Sequence, residues 1–107
     1  MANGLKSIPA VTAAELGKQG ALLVDIRESN EVARVAIPGA HHAALSSIQQ
    51  AEIPGPADQA VVFFCASGNR TNTYAGLLAA KANGRDAYVM EGGISGWYRA
   101  GLPTRTG

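Results

Sequence analysis

Cys65 is the single cysteine of the 107-residue chain, and it stands where the apolar run Val61-Val62-Phe63-Phe64 gives way to Ala66-Ser67-Gly68-Asn69-Arg70-Thr71. The run reads as a strand and the stretch from Asn72 to Asn83 as a helix, so the sulfur falls at a strand-to-helix junction. Such a junction favours anions, because the first turn of a helix leaves N–H groups without intrahelical partners and the macrodipole puts partial positive charge there. Ala66, Ser67 and Gly68 are small enough for backbone amides to curl around one point, and Gly68 takes a positive φ at no steric cost. The same field favours thiolate over thiol, so Cys65 is expected to have a depressed pKa and to be nucleophilic at neutral pH. The competing reading is a small buried thiol closing a strand, a common fate of free cysteine. A glycine loop and an arginine five positions on serve no purpose in that reading. Arg70 has two open roles: binding an anionic substrate, or pinning the loop to a carboxylate, with Asp25 and Glu31 as the candidates.

The flanking segments must hold this loop in place. Ala21 to Asp25 is a continuous apolar run ended by an acid, the pattern of a strand buried on both faces. Ligand sites in open α/β sheets lie at the carboxyl ends of strands, so Asp25 and Arg27 are expected on the same edge as Cys65, supporting its loop through hydrogen bonds. Taken alone, those charges fit a solvated strand end better. Ser29 is read as the N-cap of a short helical turn reaching Val32. Upstream, a loose start over Met1 to Gly4 leads to a short edge strand from Leu5 to Ile8. Thr12-Ala13-Ala14-Glu15 then reads as a capping box opening a helix to about Gln19. Ile37-Pro38-Gly39-Ala40 is a turn signature. His41-His42-Ala43 reads as a short strand, where successive side chains point to opposite faces and cannot grip one ion, so no metal site is expected. Leu45 to Glu52 has helical spacing, Gly84 ends the long helix, and Ala87 to Met90 is a last strand. Glu91 to Pro103 closes the chain as a glycine-hinged turn and short helix, anchored in the core by Trp97. The alternation of helices and strands predicts an α/β fold. It is expected to be a single three-layer domain over residues 1–107, with its core at about 8–103. A central, mostly parallel sheet of about five strands would be flanked by helices on both faces.

With 47% hydrophobic residues, 16% charged residues and a formal net charge of +1, the chain has no basic stripe for nucleic acid. No apolar stretch approaches the ~20 residues that span a bilayer, and residues 1–9 lack the apolar core of a signal peptide. A soluble, cytoplasmic protein in a reducing compartment is expected.

Four segments, in this order and spacing, resemble the rhodanese family of single-domain sulfurtransferases. They are Leu23-Val24-Asp25-Ile26-Arg27-Glu28, Ile37-Pro38-Gly39-Ala40, Val62 to Thr71, and Glu91-Gly92-Gly93-Ile94-Ser95-Gly96-Trp97. The resemblance implies a cysteine, here Cys65, that takes a sulfur from an anionic donor such as thiosulfate and passes it from a persulfide to cyanide or a thiol, including a protein thiol. It implies no cofactor. Backbone amides of Ala66, Ser67, Gly68, Asn69, Arg70 and Thr71 would bind the donor and cradle the persulfide, with Asp25, Arg27 and Glu31 in support. Two positions depart from the family pattern. Val35-Ala36 stands where many relatives have Gly-His, and Ala66 follows the cysteine where many thiosulfate users place a basic residue, which extends the donor class to polysulfides and persulfides. Two rival readings remain: a cysteine-dependent phosphatase or arsenate reductase, and a non-catalytic docking or regulatory module. Four residues between Cys65 and Arg70, rather than five, make a ring better sized for one sulfur than for a phosphoryl group.

Overall fold

The apolar runs form the sheet. In the computed structural model, which describes residues 5–106, the strands are β1 (Lys6–Ile8), β2 (Leu22–Asp25), β3 (Val35–Ala36), β4 (His41–His42), β5 (Val61–Phe64), β6 (Ala87–Met90) and β7 (Arg105–Thr106). The loose start expected for residues 1–4 lies outside the described residues. Five strands make one sheet in the order β1-β6-β5-β2-β4. Every neighbouring pair in it is parallel, with Val24 opposite Phe63 and Asp25 opposite Phe64. Parallel strands need crossovers, and the intervening helices supply them. These are α1 (Ala10–Lys18), α2 (Ser29–Arg34), a 3-10 helix (Leu45–Gln50), α3 (Asn69–Thr73), α4 (Ala75–Ala82) and α5 (Gly93–Arg99).

Alternate residues of β2 and β5 point to opposite faces, and each face has its own apolar cover. Val24, Val61 and Phe63 pack with Ile48 of the 3-10 helix and with Leu78 and Ala82 of α4. On the other face Leu23, Val62 and Phe64 pack with Ala10 and Ala13 of α1 and with Ile94 and Trp97 of α5. The expected three-layer α/β domain is what forms, and β5 lies at its centre, wholly buried. Trp97 does anchor the last helix: it is buried, and its indole N–H donates to the Pro103 carbonyl at 2.7 Å.

Several local expectations need correction. Helix α1 starts at Ala10 behind Pro9, whose φ of −66° and ψ of 158° turn the chain into the helix. Thr12 and Glu15 therefore lie inside it, exposed, and form no capping box. The cap of α2 is Glu28 rather than Ser29, and it forms a reciprocal capping box with Glu31. A carboxylate accepts from the N3 amide as a serine hydroxyl would, and it adds a charge favourable to the helix dipole. Leu45–Gln50 is a 3-10 helix in which Ile48 alone is buried. The long helix expected from Asn72 begins at Asn69 and is broken at Tyr74, which has φ −108° and ψ 25°. The small antiparallel pair β3–β7 has no forecast in the sequence, since two-residue strands carry no periodicity.

Candidate active site

The central strand delivers Cys65 to the carboxyl edge of the sheet. Gly68, at φ +100° and ψ −9°, reverses the chain immediately afterwards, and α3 begins at the next residue. That sharp turn brings the Gly68 N–H to 3.1 Å from Cys65 Sγ and the Thr71 hydroxyl to 3.9 Å. Thr71 is buried, and its hydroxyl donates to the Gly68 carbonyl at 3.0 Å, closing the loop from inside. Burial is the largest single influence on the thiol and pushes its pKa up; the amides of Thr71, Gly68, Ser67 and Arg70 together outweigh it. The net shift is downward from the ordinary cysteine value. Ser67 and Asn69 are exposed, and Ala66 is half-buried.

The glycine pair Gly92-Gly93 supports this loop from outside. The Ile94 N–H donates to the Cys65 carbonyl at 2.8 Å and the Ser95 N–H to the Ala66 carbonyl at 3.1 Å. Such close approach requires Gly93, which sits at φ +57°; a Cβ there would stand 2.3 Å from the Cys65 carbonyl oxygen. From the sequence, Gly92-Gly93 reads only as a hinge. Its actual work is to let the first turn of α5 press against the backbone that carries the sulfur.

Arg70 is pinned to a carboxylate, and the carboxylate is Glu31. Its guanidinium donates to both carboxylate oxygens, at 2.8 and 2.9 Å, the fork geometry expected of a strong pair. The Arg70 bond is the main reason the Glu31 carboxyl falls from 4.5 to about 2, with the Glu28 amide and the Arg27 charge adding to it against the cost of burial. Glu28 extends the chain of contacts. Its backbone N–H donates to Glu31 Oε1 at 3.0 Å, and its own carboxylate accepts from the Ser46 amide at 3.2 Å and the Ser46 hydroxyl at 2.6 Å. Glu28 is absent from the residues singled out by sequence, although its spacing from Glu31 is the one used by a capping box.

Asp25 and Arg27 lie on the expected edge, but they do not hydrogen-bond the cysteine loop. They are buried against one another, with the Arg27 guanidinium 2.7 Å from Asp25 Oδ2 and also donating to the Val35 carbonyl. The Arg27 carbonyl in turn accepts from His42 Nε2 at 2.7 Å, so that nitrogen carries the proton. Asp25 is thus excluded as the partner of Arg70. Among the described residues no three His, Cys, Asp or Glu side chains converge as metal ligands, and no helix is long and apolar enough to cross a membrane. A recess of about 620 Å³ beside β6 and α4 contains none of the loop residues.

Cys65 thus stands at the end of a central parallel strand, ringed by amides and closed by a glycine turn. Residues 9–100 match the Rhodanese-like domain family. The chain belongs to that family. This rhodanese-like chain is 34% identical to thiosulfate sulfurtransferase GlpE of Haemophilus influenzae over 101 residues, covering 94% of the chain and 95% of that protein. It is 40% identical over 84 residues to a sulfurtransferase of Allochromatium vinosum, covering 77% of the chain and 76% of that protein. Among solved structures it superimposes on a rhodanese-related protein of Thermoplasma volcanium with a TM-score of 0.80 at 25% identity, covering 94% and 97% of the two chains. The rhodanese-like fold thus has here its own sulfur, its own amide ring and its own arginine, all in register.

Proposed function

We propose that the protein is a sulfurtransferase that carries a sulfane sulfur on Cys65. The observation that carries this reading is the Gly68 N–H aimed at Cys65 Sγ from 3.1 Å within a ring of amides that lowers the thiol pKa. The thiolate attacks the outer sulfur of a donor, and the donor's inner part departs with the bonding electrons. From thiosulfate the balance is Cys65–S⁻ plus S–SO₃²⁻ giving Cys65–S–S⁻ plus SO₃²⁻. The added sulfur stays within the amide ring, which offsets its charge, until an acceptor thiolate or cyanide removes it and regenerates Cys65–S⁻. The loop amides of Ser67, Gly68, Arg70 and Thr71 are the binding groups; Arg70, held by Glu31, fixes their directions.

Mass spectrometry of the intact protein after treatment with a sulfane-sulfur donor tests this directly. A gain of roughly 32 Da is expected in the wild type and none in Cys65→Ser, because only the thiolate accepts the sulfur. Absence of any gain with thiosulfate, a persulfide and a polysulfide alike would overturn the enzymatic reading in favour of a docking module. Release of phosphate from a phosphoester by the same preparation would overturn it in favour of a phosphatase.

A further inference from the structure

A groove of about 420 Å³ lies between the 3-10 helix and α4, lined by Leu45, Ser46 and Gln49, by Tyr74 and Leu77, and by Glu28 at the head of α2. Leu45 and Leu77 pack on the core beneath it and leave part of each side chain uncovered. The helix break at Tyr74 leaves that side chain 44% exposed, and among the described residues the other large hydrophobic side chains so exposed, Val11 and Tyr98, belong to α1 and α5. Glu28 carries the only formal charge of the lining, and no cation pairs with it among the described residues. Three donors fix its carboxylate in place: the Ser46 amide, the Ser46 hydroxyl and the Glu31 amide of its own capping box. The charge is therefore positioned before anything binds. Arg27 and Arg70, on the same edge, are closed by Asp25 and Glu31, while Glu91 and Arg99 belong to the β6–α5 side of the cysteine loop and line no part of the groove. Arg70 joins the groove to the site: its guanidinium feels both the Cys65 sulfur and the Glu28 carboxylate, and its carbonyl accepts from the Tyr74 N–H at 2.9 Å, one helical turn on.

We infer that this groove docks a partner protein through an exposed segment in which a leucine-sized apolar side chain adjoins a lysine or arginine. The apolar side chain covers Leu45, Leu77 and the Tyr74 ring, and the cation meets Glu28, which has no other counter-charge. An acidic segment is rejected by the same carboxylate. Where the protein acts as a sulfurtransferase, the docked segment belongs to the acceptor whose thiol takes sulfur from Cys65, because the groove starts on the edge where that sulfur stands. That link rests on the proposed function; the docking itself does not.

The probes are synthetic peptides with blocked ends, Gly-Leu-Leu-Lys-Gly, Gly-Leu-Leu-Glu-Gly and Gly-Ser-Ser-Lys-Gly, titrated into isotope-labelled protein and followed by its backbone amide shifts. The first is expected to move the amides of Ser46, Gln49 and Leu77, to leave those of Val11 and Tyr98 in place, and to bind about fivefold more tightly than either of the others. Gln49 is exposed and outside the cysteine loop, so it serves to change the charge of the groove. Gln49→Lys is expected to weaken the lysine peptide and Gln49→Glu to strengthen it, each about threefold, with the opposite order for the glutamate peptide and smaller differences at high salt. Shifts spread evenly over the surface, equal affinity for the lysine and glutamate peptides, or no change of order in the Gln49 variants would each overturn the docking assignment. Concentration-dependent shifts of the same amides in the protein alone would give the groove to a second copy of this chain and overturn it too. A cysteine added to the end of the lysine and glutamate peptides then reports on sulfur: relative to cyanide, the lysine peptide is expected to take it from the loaded protein faster. Docking with transfer to cyanide but no advantage over the glutamate peptide would overturn the link between groove and acceptor. Docking with no transfer to peptide or cyanide would overturn the sulfurtransferase reading and leave the docking groove standing.

Discussion

The Cys65 thiol is held between burial, which favours the neutral form, and four backbone amides, which favour the anion; the amides win. A thiol arranged this way forms its anion at a lower pH than an ordinary cysteine does. The rate of alkylation by iodoacetamide should therefore rise with pH around a midpoint below that of the same protein unfolded in urea. A midpoint at or above the unfolded one would contradict the amide ring. Gly68→Ala probes the ring at its tightest point. Alanine at φ +100° is strained by roughly 1–2 kcal/mol, and relief of that strain swings the N–H away from the sulfur. Loss of a hydrogen bond to a charged acceptor, about 1.5 kcal/mol, predicts an alkylation midpoint about one pH unit higher in Gly68→Ala than in the wild type. The turn of the Cys65 loop was legible from residue types, because small residues, a glycine and a following arginine together signal an anion cradle. The partner of Arg70 was not, since Asp25 and Glu31 are both carboxylates near a strand end and only packing separates them. Asp25 was taken by Arg27, two residues away.

Two short elements hold the loop by different means. Helix α2 contributes a charge: Glu31 is ionised in the native protein down to about pH 2, against 4.5 for an ordinary glutamate. Its folded pKa lies below its unfolded one, so the ion pair stabilises fully above about pH 4.5 and loses that contribution as pH falls toward 2. Taken at face value the shift is worth about 3 kcal/mol, but each side chain keeps 31% of its surface exposed, and solvent screening leaves about 1 kcal/mol. Urea unfolding of wild type and Glu31→Gln should accordingly differ by about 1 kcal/mol at pH 6 and converge by pH 2. A gap that persists at pH 2 would place the contribution elsewhere. Helix α5 contributes contact instead. In Gly93→Ala the added methyl carbon would stand 2.3 Å from the Cys65 carbonyl oxygen and 2.7 Å from the Ala66 carbonyl carbon, so α5 must withdraw. The expected cost is roughly 2–4 kcal/mol in unfolding free energy, with loss of sulfur loading beyond what the stability change explains. Elements of this length are where sequence reasoning reached its limit. The runs that became β2, β5 and β6 are apolar enough to declare themselves, and the turn at Pro38-Gly39 has its own chemistry. The start of α1 behind Pro9 and the Glu28–Glu31 capping box of α2 have local signals that compete with the Thr12–Glu15 and Ser29 signals nearby, and the break at Tyr74 has none.

Across the whole molecule, the buried Asp25–Arg27 pair joins parts that the two apolar faces leave separate. Arg27 donates to the Val35 carbonyl, Val35 pairs with Thr106 in the β3–β7 ribbon, and the Arg27 carbonyl accepts from His42 of β4. One ion pair thus ties the end of β2 to the edge of the sheet and to the last strand of the chain. Its side chains are only 2% and 3% exposed, so each charge depends on the other for its solvation. Removing one partner leaves an uncompensated buried charge at roughly 3–5 kcal/mol, whereas replacing both by apolar groups of similar volume is often nearly neutral. Domains of this size are stable by about 5–15 kcal/mol, so the single change takes a large share of the total. Asp25→Ala is therefore expected to lower the urea midpoint sharply, and the double variant Asp25→Leu with Arg27→Met to recover most of the loss. In Asp25→Ala, protease cleavage should appear first near residues 104–106, where the ribbon is released. If Asp25→Ala costs less than about 1 kcal/mol, the pair is a bystander and the two apolar faces hold the sheet edge by themselves.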